Sequence, residues 1–305
     1  MTITKYLLSS LCTLSLFMIG CKKEDLNKVP VADAGPSKNI TLPGDSITLS
    51  GTGSDADGKV VAYAWSQVSG PAATIIVNPG AASTLITGFI PGSYIFQLAV
   101  TDDMGATGVD TTIVVVNPSP ISTLTLYPPT EYAVGIVNGA DATGPTDISV
   151  ETDGWTINSI PTYVRAVMKF DLSAIPSGAT IKSANLYLYS NPTPGTGNFI
   201  DANYGSTNSF TIQQITSNWS TSTLGWFNQP AASTTNQVVI PTTSQSQLDL
   251  NVDVTPLIAS MVNNNANYGF LMRLENEVYY NSRIFVSSHN ATYPNKHPKL
   301  VVVYQ

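Results

Sequence analysis

The chain has 305 residues, of which 43% are hydrophobic and only 11% charged, with a net charge of −7. That length leaves room for about two domains, and an acidic balance with no basic stripe excludes a nucleic-acid partner, because nothing replaces counterions along a phosphate backbone. Both cysteines, Cys12 and Cys21, precede residue 22, which excludes a disulfide framework beyond them, and two histidines, His289 and His297, are too few for a multi-histidine metal site.

Residues 1–21 read as a targeting segment, with Lys5 as its positive start and Leu7 to Ile19 as an apolar core too short to span a bilayer. Met18-Ile19-Gly20-Cys21 resembles a bacterial lipobox. The small Gly20 admits a peptidase, and the Cys21 thiol takes the lipid. Lys22-Lys23-Glu24-Asp25 opens a linker over 22–30 and is similar to the surface-export signal of Bacteroidetes lipoproteins. These features imply an outer-membrane protein anchored through Cys21 and displayed at the cell surface.

Residues 31–117 alternate in short strands between turn signals, the pattern of a β-sandwich. Val61, Tyr63 and Trp65 are expected on one face, as are Tyr94, Phe96, Leu98 and Val100, and later Thr111, Ile113 and Val115. Trp65 reads as the inward tryptophan of such a sandwich. Asp55 and Asp57 lie in an acidic turn. They are candidates for a structural Ca²⁺ through closely spaced carboxylates, with backbone capping of the turn as the favoured alternative. The segments ADAG, SDADG, YAWSQVSGP and GSYIFQLAVTD resemble a PKD domain, which implies an immunoglobulin-like spacer or interaction module.

A proline-containing linker, 118–122, leads into 123–305. There Arg165 to Ser190 reads as strand, turn and strand: Val167, Phe170 and Leu172 lead to Pro176-Ser-Gly178, after which Ala184, Leu186 and Leu188 alternate with polar or aromatic partners. Residues 138–146 and 151–159 read as turns and loops, and 191–209 as a long polar loop. One short helix is expected over Pro256 to Val262, capped by Asp253 or Thr255. The Phe-Asp-Leu-Ser at 170–173, Gly225-Trp226-Phe227-Asn228-Gln229-Pro230, Asp253-Val254-Thr255 and Asn267-Tyr268-Gly269-Phe270 together resemble the DNRLRE domain, also classed as carbohydrate-binding module family 96. The expected architecture is all-β: an immunoglobulin-like sandwich, then a larger jelly-roll-like β-sandwich with one short helix.

Catalysis finds little support. Neither histidine accompanies a nucleophile elbow. Asp153, Asp171, Glu275 and Glu277 could supply paired carboxylates for glycoside hydrolysis, but Asp171 reads as a turn residue and Glu275 and Glu277 as a solvated strand end. Sugar binding needs flat aromatic faces and planar charged forks. Trp155 in a polar stretch, Tyr204, and the adjacent Tyr279 and Tyr280 offer the first; the chain's three arginines, Arg165, Arg273 and Arg283, offer the second. Core packing is the preferred reading of Trp219 and Trp226, and an ion pair with Asp171 the alternative for Arg165. The expectation is a non-catalytic surface lipoprotein that binds a polysaccharide, an acidic one on the family resemblance, with no cofactor beyond that Ca²⁺. The competing readings are a structural surface protein or adhesin without a sugar site and, ranked last, a polysaccharide-degrading enzyme.

Overall fold

The computed structural model describes residues 26–146 and 148–305, so the targeting segment and Cys21 lie outside the described residues. Two compact units divide the chain, one ending at Ser119 and the other running Pro120–Gln305.

The first unit packs a four-stranded sheet on a three-stranded one. The larger sheet runs Lys38–Thr41, Thr107–Asn117, Gly92–Asp102, Val60–Ser69, with the first pair parallel and the rest antiparallel. The smaller runs Ser46–Ser50, Ser83–Thr87, Ile75–Ile76. Between them Trp65, Tyr94, Phe96, Leu98 and Val100 meet Leu49 and Ile86. A Cβ at Gly51 would fall 2.3 Å from Leu98 Cδ2, so the close approach there requires glycine. Two expected parities are corrected. A register shift between Val60 and Ala62 turns Val60 toward the core and leaves Val61 exposed. In Thr107–Asn117 the inward set is Thr112, Val114 and Val116, while Ile113 faces out. A strand apolar on both faces does not declare its own inward side.

The second unit is a larger, curled β-sandwich. Its four-stranded sheet runs Ser122–Leu126, Lys299–Tyr304, Ile181–Leu188, Leu250–Asp253. The ten-stranded sheet follows the order Asn203–Tyr204, Asn281–Val286, Ser149–Ile157, Ile160–Lys169, Phe270–Leu274, Phe210–Ile215, Ala232–Ile240, with Thr130–Val137 also paired to Ile160–Lys169. Leu186, Leu188, Leu300 and Val302 of the smaller sheet meet Phe210, Phe270 and Phe285 of the larger in one core. The alternation at Ala184, Leu186 and Leu188 thus points inward, and Pro176-Ser-Gly178 closes its turn with Ala179 N donating to Pro176 O at 3.1 Å. The helix Thr255–Asn263 buries Leu257, Ile258 and Met261. Of the two expected caps only one acts on the helix start: Asp253 Oδ1 accepts Thr255 N at 2.9 Å, while Val254 at the cap position makes no side-chain bond and the Thr255 hydroxyl instead accepts Ala184 N at 2.8 Å.

The expectation of a loop over 151–159 is also corrected. Ser149–Ile157 is a strand paired on both edges, and Asn158 and Ser159, at φ 52° and 66°, turn it back into Ile160–Lys169. Positive φ at both turn residues is the geometry that matches strand twist in a two-residue hairpin. Among the described residues no helix is long and apolar enough to cross a membrane.

Candidate functional site

The hairpin Ser149–Ile157/Ile160–Lys169 and the segment after Phe270–Leu274 carry most of the candidate residues. Their register decides which meet. Gly154 pairs with Tyr163 and Trp155 with Thr162, so neighbouring positions alternate between two sides of the ribbon.

On one side an aromatic stack forms. Tyr163 lies between Trp226, at a centroid distance of 6.3 Å and 19° between planes, and Tyr279, at 5.9 Å and 29°. The hydrogen bond with Tyr279, followed by burial, pushes the Tyr163 phenol up to about 12. The Arg165 guanidinium sits 4.6 Å from the Trp226 ring centroid, close enough for cation–π attraction. Its Nε and Nη2 each donate to Glu277 at 2.7 Å, and its Nη1 donates to Gln229 Oε1 at 2.8 Å. Gln229 is held in turn, donating to the Trp226 carbonyl at 2.9 Å. Arg273 approaches the same Glu277 carboxylate at 3.8 Å. Two guanidiniums therefore share one carboxylate, and the cluster keeps a net positive charge. Arg165, Arg273, Trp226, Phe227 and Gln229 line an open cavity of about 490 Å³, with Phe227 73% exposed at its edge.

On the other side Trp155 meets Tyr204 and Tyr280 edge-on, at centroid distances of 5.6 Å and 5.2 Å. Thr156 Oγ1 and the Tyr280 hydroxyl are 3.3 Å apart. Tyr279 and Tyr280, adjacent in sequence, thus join different aromatic groups.

The family 96 carbohydrate-binding module model matches residues 143–304, more than half of the chain, and the K319L-like PKD domain model matches 34–116. The chain belongs to carbohydrate-binding module family 96. A PKD domain precedes the family 96 module, and both matched domains are non-catalytic. The mouse dyslexia-associated protein KIAA0319-like protein is 46% identical over 77 residues, which is 25% of this chain and 7% of that protein. The chain spans only 7–8% of the length of the first curated relatives it matches. A solution structure of the PKD domain from the KIAA 1837 protein is 34% identical, covering 31% of this chain and 93% of that one, with a TM-score of 0.28. A carbohydrate-binding module of the β-sandwich superfamily covers 92% of this chain and 100% of its own at 14% identity and a TM-score of 0.23.

Several residue readings change in the family 96 module. Trp155 lies on a strand and is half-buried, not in a loop. Arg283 is 0% exposed, beneath the sheet against Phe210, so this proposed ligand fork does not reach solvent. Glu277 is no solvated strand end but the partner of Arg165, the role expected of Asp171. Asp171 is exposed and accepts Ser173 N at 2.9 Å, a turn role, and Glu275 is exposed. Trp226 both packs on a small apolar cluster with Val167 and Leu271 and lines the open cavity, so its core reading was half the answer. Trp219 belongs to the same cluster and donates to Tyr268 O at 2.7 Å. Tyr163, two residues before Arg165 on one strand, carried the only advance signal of the stack: same-face spacing.

In the PKD domain Asp57 accepts Lys28 N at 3.1 Å, as a capping residue does. Both Asp55 carboxylate oxygens are buried without a hydrogen-bond partner among the described residues, and no group of three or more Asp, Glu, His or Cys is arranged there to hold a metal ion. Ca²⁺ takes six to eight oxygens, so these residues alone do not make its site.

Proposed function

We propose that the family 96 module binds an acidic polysaccharide on the Tyr163–Trp226–Tyr279 face, without breaking bonds. The carrying observation is the stack itself: an aromatic platform beside an open cavity where Arg165 and Arg273 outnumber Glu277. Aromatic faces accept sugar C–H surfaces, and guanidinium forks accept carboxylates in a bidentate geometry. Arg165 spends a bond from each of its three nitrogens on Glu277 and Gln229 and serves to hold Trp226 in place. Arg273, about one-third exposed, is the fork open to a ligand. Family membership supports the carbohydrate class; the excess of positive charge supports the acidic one.

Affinity electrophoresis through a polyuronate and through a neutral β-glucan tests this. The polyuronate retards the protein more. Trp226→Ala, with its circular dichroism intact, weakens retention at least tenfold, about 1.4 kcal/mol, and Arg273→Ala removes the preference for the charged polymer. Equal retardation by both polymers would defeat the acidic specificity. No retardation by any glycan would leave a structural or adhesive surface protein in its place.

In this reading the PKD domain is a spacer between module and membrane, and Cys21 carries the lipid that anchors the protein at the outer membrane with the module outside. The support is the position of Cys21 at the end of an apolar run, with charges following at once. Labelled palmitate incorporated by the wild type and not by Cys21→Ser, with protease-accessible protein on intact cells, is the expected result.

A further inference from the structure

A second cavity in the C-terminal unit, of about 480 Å³, lies apart from the Trp226 platform. Its volume falls within the roughly 300–1,000 Å³ of small-molecule sites. Glu151, Asp153, Trp155 and Ile157 recur at every second position of Ser149–Ile157 and all line it, joined by Thr162 across the hairpin and by Phe199. Phe199, at φ 63°, is exposed at the rim.

The two carboxylates set the chemistry. Glu151 accepts the Thr196 hydroxyl. Asp153 is 4% exposed, and its Oδ1 has no hydrogen-bond partner among the described residues; neither has the nearby Thr162 hydroxyl. No lysine or arginine is among the residues that line the cavity. Burial holds both carboxyls above the usual carboxylate range, and the charge of Glu151 raises Asp153 further. An orphaned buried carboxylate oxygen beside a second carboxylate is costly until a donor or cation meets it.

A metal ion is a poor fit. Ca²⁺ wants a compact cage of six to eight oxygens, whereas this space is wide, walled by apolar and aromatic side chains, and has no third carboxylate among the described residues that line it. An organic cation suits it: the carboxylates take the charge and Trp155, braced edge-on by Tyr204 and Tyr280, offers a ring face. We propose that this cavity binds a pyranose bearing a free, protonated amine, with Glu151 and Asp153 on the ammonium group and Trp155 against the sugar ring. The proposal rests on the reading that this module binds glycans, but on residues other than the platform's.

The test measures the full chain by tryptophan fluorescence and saturation-transfer NMR with methyl glucosaminide, methyl N-acetylglucosaminide and methyl glucoside. Methyl glucosaminide binds saturably and at least tenfold more tightly than the other two. Asp153→Asn removes that preference and leaves retention on polyuronate unchanged. Phe199→Ala, at an exposed position that does not threaten the fold, weakens methyl glucosaminide alone. Equal binding of the three sugars overturns the proposal, as does methyl glucosaminide binding unaffected by both variants. Calcium binding that Asp153→Asn abolishes, with no response to the amine, overturns it in favour of a metal site. Polyuronate retention without amine binding sinks this proposal and spares the platform; amine binding without polyuronate retention does the reverse.

Discussion

Replacing Arg283 by methionine should make the protein more stable. The guanidinium is wholly buried, stacks 5.0 Å from the Phe210 centroid and makes one hydrogen bond among the described residues, from Nη1 to the Pro241 carbonyl at 3.1 Å. Its Nε and Nη2 have no partner among the described residues. Burial lowers its pKa to about 10. That displacement corresponds to ~3 kcal/mol of penalty on the charged form. The hydrogen bond returns ~1 kcal/mol and the ring contact ~1 kcal/mol. Methionine keeps an unbranched stem against Phe210, removes the charge and leaves only a small void. Exchanging buried ionic groups for apolar ones of similar shape is commonly neutral or stabilising, and the expected gain for Arg283→Met is ~1–2 kcal/mol. In a domain of this size that raises the midpoint by roughly 2–4 °C per kcal/mol. Differential scanning calorimetry on the C-terminal transition reads it, with polyuronate retention unchanged. A loss of 1 kcal/mol or more would refute the reasoning, because it would mean the core supplies this cation with a compensating partner.

Three further outcomes follow from the same geometry. Glu277→Gln removes the carboxylate that Arg165 grips twice at 2.7 Å; stability should fall by ~1–3 kcal/mol, while polyuronate affinity rises and becomes more salt-sensitive, read by titration calorimetry at two ionic strengths. Asp153 has a folded pKa raised by burial and by Glu151. Its folded state therefore holds a proton that the unfolded state releases first, and it costs stability as pH climbs above the ordinary carboxylate value. The midpoint of Asp153→Asn minus that of wild type should grow between pH 4 and pH 8; a constant difference would refute this. Ser159 sits at φ 66° in the hairpin turn, so Ser159→Gly should add ~0.5–1 kcal/mol in urea unfolding by relieving left-handed strain, and Ser159→Val should subtract.

The aromatic and charged candidates were visible because a residue's type is a local property. Trp155, Tyr279 and Arg165 could be picked out one at a time, but Glu277 could not: nothing within four residues suggests that it would meet Arg165, 112 positions away. The hairpin at Asn158-Ser159 was hidden for a different reason. Its turn lacks the glycine that ordinarily marks positive φ, and without the turn the strand Ser149–Ile157 read as a loop.

Period-two alternation, proline–glycine turns and the ordered motifs determined two β-sandwiches and the carbohydrate-binding family, since each is written in neighbours along the chain. Which aromatic faces join, which arginine drops beneath the sheet and which carboxylates share a cavity were decided by strand register. One residue of slip exchanges the two faces of a strand, and register is set by long-range pairing, which no local pattern contains.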